Sequence, residues 1–228
     1  MTVEQYYLLL LISFAITAIA QIMVKSRYSK YKKIENKSGI TGKEVARRIL
    51  DENGMPNMQI IETQGTLTDN YNPTQMTVNL SADIYNGTSI AAIAVAAHEC
   101  GHAIQHHTGY TFLKMRMSLI PILNITSKLS YGAILLGYIL GALRLFEIGI
   151  ILESVAVLFH LITLPVEFDA SRRGMQQLRG FNVFENGELA GSRRMLTAAA
   201  LTYVGAAISG IVSILRLVLM MNNSRRRS

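Results

Sequence analysis

Four stretches of the chain are nearly unbroken apolar runs, separated by segments with ordinary polar spacing. The first extends from Tyr6 to Val24 (YYLLLLISFAITAIAQIMV). The second and third lie between Leu119 and Leu164, divided near GALRLFEIG, where Arg144 and Glu147 predict a turn between two antiparallel helices. The fourth runs from Leu196 to Met221 and carries Arg216 near its end, where a long side chain can reach a polar boundary. A bilayer core is spanned by roughly 20 apolar helical residues, so each run reads as a transmembrane helix. The first lacks a basic segment before it and a small-residue cleavage pattern after it, which makes it an uncleaved anchor.

Between the first two runs the pattern changes. ITGKEVARRILDENG predicts a helix: Thr41 and Glu44 form a capping box, Val45, Ala46, Ile49 and Leu50 share one face, and Gly54 is placed to end it. MQIIE and QMTVNL alternate as short strands, with the turn-rich GTLTDNYNP between them and SADIYNGTS after them. QMTVNL is a candidate exposed edge on which an extended peptide could add as a strand. Thr88 or Ser89 caps the next helix, which runs to about His107 before Gly109. Its alanines at 91, 92, 94, 96, 97 and 103, with Gly101, leave slender sides that another helix can approach closely. The fold class is therefore a mainly α membrane protein, with about four transmembrane helices, one further helix, and a small α+β insertion before it.

Charge refines the picture. The net charge is +7, yet the positives gather beside the apolar runs: KSRYSKYKK after the first, and SRRGMQQLRG with SRR between the third and fourth. That placement argues against a nucleic-acid partner and for a lipid bilayer. The positive-inside rule puts both basic segments in the cytoplasm, in a multi-pass cell-membrane protein. The C-terminal SRRRS falls on the other side in a four-span count and disagrees. Cys100 is the sole cysteine, which excludes an intrachain disulfide and a cysteine-cluster metal site. Nothing in the pattern sets an oligomeric state.

The candidate chemistry lies in HECGH, residues 98–102. Residues four apart on a helix stand on one face, so His98 and His102 can both offer an imidazole nitrogen to one zinc ion. Glu99 projects about 100° round from His98 and can take a proton from water on that ion without ligating it. A fully apolar helix would not bury two histidines and a carboxylate without partners, because unpaired they cost several kcal/mol. A metzincin is excluded, since Gln105 and Thr108 stand where glycine and histidine are needed. His106 and His107 read as solvent-facing or supporting residues; three ligands in a column on a straight helix would span about 12 Å, too far for one ion. The third ligand should come from a later carboxylate. LPVEFDASRRG offers Glu167 and Asp169, about 200° apart on a helix, so at most one faces the metal; Pro165 allows a bend there. Glu153 and His160 are rivals.

HECGHAIQ, LPVEFDASRR, TGKEVARRIL, GTLTDNYNP and AAALTYVGAA together resemble the YugP-like family of bacterial membrane-bound neutral zinc metallopeptidases, over nearly the whole chain. More remotely, HExGH followed by EFxA is similar to the integral-membrane gluzincins, which include the HtpX-like and CAAX-prenyl endopeptidases. The resemblance implies Glu167 as the third ligand of a single zinc ion, with His98 and His102, and Glu99 as general base. The remoter group's supporting aspartate falls on Ser171, which lacks the charge to steady an imidazole. Asp169 could replace it only on a distorted helix. Arg172 and Arg173 would face lipid headgroups or, less readily, a transition-state oxyanion.

The implied activity is a membrane-bound zinc endopeptidase acting on a protein or peptide, including one at the membrane, with its site on the cytoplasmic side. The alternative is a zinc-binding membrane protein with a structural or regulatory role. An intramembrane protease ranks third, because no aspartate lies within the four apolar runs. The expected segments are an anchor over 1–24, the α+β segment and HExxH helix over 25–117, a transmembrane hairpin over 118–164, a helix with the third ligand over 165–195, and the last span and basic tail over 196–228.

Overall fold

The computed structural model describes residues 3–225. The side chains of the SRRRS tail lie outside the described residues. In chain order the elements are α1 (Val3–Tyr31), α2 (Gly42–Glu52), β1 (Gln59–Thr63), β2 (Asn70–Asn72), β3 (Thr77–Ser81), α3 (Ala82–Tyr85), α4 (Ile90–His107), α5 (Thr111–Ile139), α6 (Leu143–Gly180) and α7 (Asn186–Arg225). Helices α1, α5, α6 and α7 are long and apolar enough to cross a membrane. The mainly α class with a small sheet insertion is thus what the chain adopts.

The chain divides into two compact units. The first comprises residues 1–21, 114–164 and 202–228 and is built from the apolar runs. Large side chains such as Phe14, Leu135, Tyr138 and Ile151 are exposed on it, and only 6% of the apolar window of α1 is buried, which suits a helix surrounded by lipid. Small residues set its helix contacts: a Cβ on Gly137 would meet the backbone of Phe146 at 2.5 Å, and one on Gly210 would meet Val157 at 2.9 Å. Ser130 donates to Glu153 at 2.9 Å, giving that carboxylate a partner among apolar helices.

The turn between α5 and α6 is shorter than GALRLFEIG suggests. It occupies only Leu140–Ala142, with Gly141 at φ +64, and Arg144 and Glu147 lie in the first turns of α6. Pro165 does not end a helix either. It sits inside α6, so the third apolar run and the acidic segment after it are one continuous element.

The second unit comprises residues 22–113 and 165–201. The capping box of α2 forms as the spacing predicts: Thr41 Oγ1 accepts from the Glu44 N–H at 3.2 Å while Glu44 accepts from the Thr41 N–H at 2.8 Å. Val45, Ala46, Ile49 and Leu50 are fully buried. Gly54 has φ +76, the left-handed conformation that stops the chain after the helix. Ser89, rather than Thr88, caps α4, accepting from the Ala92 N–H at 3.1 Å.

The sheet is three-stranded in the order β1-β3-β2, with β1 parallel and β2 antiparallel to β3. This corrects two expectations. GTLTDNYNP contains β2 as well as turns, and QMTVNL supplies the central strand β3, whose two edges are both occupied. It therefore offers no free edge to a substrate. The core of the unit joins α2, α4 and β3 to residues of α6 and α7, among them Leu178, Met195 and Leu196.

Candidate metal centre

Helix α4 presents His98 and His102 one turn apart, and the later part of α6 runs alongside it. Their approach is close because both contact faces are reduced to small residues. A Cβ on Gly101 would stand 2.3 Å from the Ala170 carbonyl oxygen, and one on Gly174 would stand 2.5 Å from that of Ala97. The alanine-rich flanks thus serve the close approach expected of them, and the crossing aims Glu167 at the histidine pair.

Glu167 Oε2 lies 3.2 Å from His98 Nε2 and 3.6 Å from His102 Nε2. The three ligand atoms all fall within 4.8 Å of one another. Atoms held about 2.0–2.2 Å from a tetrahedral zinc stand about 3.3–3.6 Å apart, so the spacing fits a single ion. The donor set, two imidazoles and a carboxylate, suits zinc and leaves a fourth position open. Glu153 and His160 are not in this group. His106 bonds Tyr71 at 2.7 Å between Nδ1 and the hydroxyl, and His107 is exposed.

The backs of both rings are held. Gln105 Nε2 donates to the Val166 carbonyl at 2.7 Å and to Asp169 Oδ2 at 3.0 Å, which leaves its Oε1 facing His102 Nδ1 at 3.1 Å. That acceptor requires Nδ1 to carry the proton and frees Nε2 for the metal. Ser171 Oγ stands 3.1 Å from His98 Nδ1 and can do the same there. Asp169, about 200° from Glu167 on α6, therefore reaches a zinc-side histidine through Gln105 with no distortion of the helix. It is anchored by Arg173 Nε at 2.6 Å and by Arg172. Gln105 is the supporting residue that the motif reading passed over; its i+3 spacing from His102 places it on the same face, which is the signal it offers.

Glu99 is buried beside the ligands. Burial pushes its carboxyl up to about 7, with Glu167 and Asp69 adding to the shift and His98 and the Tyr71 N–H opposing it. β2 contributes at this point, since Tyr71 also binds His106. Cys100, on the far side of α4, is fully buried and its thiol is pushed up by burial; it donates weakly to the Ala46 carbonyl at 3.7 Å. It is a packing residue.

The family described as "Putative neutral zinc metallopeptidase" matches residues 6–222 of the chain. The chain belongs to this family. It is 48% identical over 206 residues to the "Putative membrane protease YugP" of Bacillus subtilis (strain 168), covering 90% of this chain and 92% of that one. No solved structure matches it. The resemblance drawn from HECGHAIQ and LPVEFDASRR is therefore the correct one at family level, and the family's description carries zinc with it.

Proposed function

We propose that this protein is a membrane-bound zinc endopeptidase that binds one zinc ion through His98, His102 and Glu167. The observation that carries the reading is the convergence of these three ligand atoms, from two helices, beside a buried carboxyl at Glu99. Zinc, when bound, polarises the scissile carbonyl and lowers the pKa of water at the open position. The chain's own residues do the rest. Gln105 and Ser171 hold the His102 and His98 rings with Nε2 forward. Glu99 accepts the proton of the attacking water as its oxygen bonds the carbonyl carbon, then delivers that proton to the amide nitrogen as the C–N bond breaks.

Several features support a multi-pass position in the cell membrane with the site on the cytoplasmic side. Four helices are long enough to cross, the relative from Bacillus subtilis is described as a membrane protease, and the basic segments flank the spans. The substrate is a protein or peptide, including one at the bilayer, and no nucleic acid is involved.

Metal analysis and peptide cleavage with three purified proteins test the reading. Wild type is expected to hold one zinc and cleave. Glu99→Gln keeps the zinc and loses cleavage by a factor of about a hundred or more. Glu167→Ala loses most of its zinc. Zinc retained in full by Glu167→Ala disproves the ligand set, while a wild type with zinc but no Glu99-dependent cleavage favours a structural or regulatory zinc protein instead.

A further inference from the structure

A cavity of about 410 Å³ opens between the later part of α6 and the start of α7, within the second unit. Arg172, Arg179 and Arg193 line it, and no carboxylate does. Arg172 is paired with Asp169. The guanidiniums of Arg179 and Arg193 have no hydrogen-bond or ion-pair partner among the described residues, and both residues are exposed. Two unneutralised guanidiniums facing one concavity repel each other and focus a positive potential there. Their planar forks match the paired oxygens of a phosphate group.

The rest of the lining is not what a free inorganic anion needs. Phe168, which is 47% exposed, adds apolar surface, while Leu196 and Ala200 close the cavity from its buried side. Phe168 follows the third apolar run by four residues, and Ala200 lies at the start of the fourth. The apolar end of the cavity thus occurs where two candidate spans meet polar sequence, with Arg193 three residues before the fourth apolar run, and a lipid at the membrane boundary can reach it from there. Ser171 also lines the cavity and contacts His98 through Nδ1, the ring atom that faces away from the metal ligands. The cavity therefore reaches the Nδ1 edge of His98, opposite the Nε2 edge that faces Glu167.

We propose that this cavity binds the phosphate group of an anionic membrane phospholipid, with Arg179 and Arg193 on the phosphate and Phe168 against the glycerol and first acyl carbons. The proposal rests on α6 and α7 being membrane spans and not on the peptidase reading.

Native mass spectrometry of the full-length, zinc-loaded protein in detergent tests it, with phosphatidylglycerol, phosphatidylcholine and inorganic phosphate as separate probes. Phosphatidylglycerol is expected to be retained in preference to phosphatidylcholine, and its binding to weaken about tenfold or more in Arg179→Gln/Arg193→Gln with zinc content unchanged. Thr197→Glu, an exposed cavity residue, puts a carboxylate into the site while keeping all three arginines and should produce the same loss. Equal phosphatidylglycerol binding by wild type and both variants overturns the site. Millimolar inorganic phosphate displacing the lipid completely, or binding as tightly, overturns the lipid as its source. Failure of zinc binding or of Glu99-dependent cleavage in wild type, with lipid binding intact, would instead count against the function proposed above.

Discussion

Gln105 has a task that few side chains could perform. Its amide must donate to a backbone carbonyl and to Asp169 while its oxygen accepts from His102. A glutamate would set two acceptors against two acceptors, and a leucine would leave the His102 ring without its acceptor and take a donor from the Val166 carbonyl and from Asp169 inside a buried site. Gln105→Leu is therefore expected to lower zinc affinity by about ten- to a hundredfold, as loss of a ligand's supporting partner typically does. Competition with a chelator of known affinity at fixed pH would measure it. Ser171→Ala should cost less, because the serine hydroxyl brings no charge and no second anchor of the Asp169 kind. If Ser171→Ala weakens zinc binding more than Gln105→Leu, the ranking of the two supports is wrong. This residue-scale detail was the least legible part of the sequence. HECGH announces its ligands by spacing, whereas a glutamine carries no titratable signature, and its role exists only once α6 delivers Val166 and Asp169.

At the scale of elements, the crossing of α4 and α6 explains why the site can form at all. The contact is backbone against backbone, at Gly101 with Ala170 and at Gly174 with Ala97. A methyl group at 101 would stand 2.3 Å from a carbonyl oxygen, and no rotamer can relieve a clash with backbone. Gly101→Ala should therefore push the helices apart, at a cost of about 1–3 kcal/mol, and pull Glu167 away from His98 and His102. The expected result is a lower melting temperature together with weaker zinc binding. A variant that melts earlier but holds zinc as tightly would show that the crossing is not what aligns the ligands.

The elements themselves were readable to different degrees, for physical reasons. The four long helices, the α2 capping box and the extent of α4 follow from apolar run length and from cap chemistry, which act locally. β2 did not, because Asn70–Asn72 is three residues of turn-forming type. Its strand character comes from pairing with β3, a tertiary effect. The continuity of α6 through Pro165 was also hidden. A proline removes one helical hydrogen bond and disfavours the helix before it, yet the flanking helix persists, with Val166 and Ala170 fully buried on its far side.

For the whole molecule, the decisive question is parity. His98 and His102 lie in the segment between the first and second apolar runs, and the second basic segment lies between the third and fourth. Two candidate spans, α5 and α6, separate them. If both cross the membrane, the two segments share a side, and the positive-inside rule makes that side cytoplasmic. Cysteine labelling can test this with little background, because Cys100 is fully buried. Ser29→Cys and Val183→Cys place thiols at exposed positions in the two segments. Neither is expected to react with a membrane-impermeant maleimide added to intact cells, and both should react after permeabilisation. Labelling of one alone from outside would mean that α5 or α6 does not cross, since an odd number of crossings would then separate the two positions. Labelling of both from outside would keep the pair of spans but reverse the orientation, and it would move the zinc centre, on the same segment as Ser29, to the opposite face of the membrane.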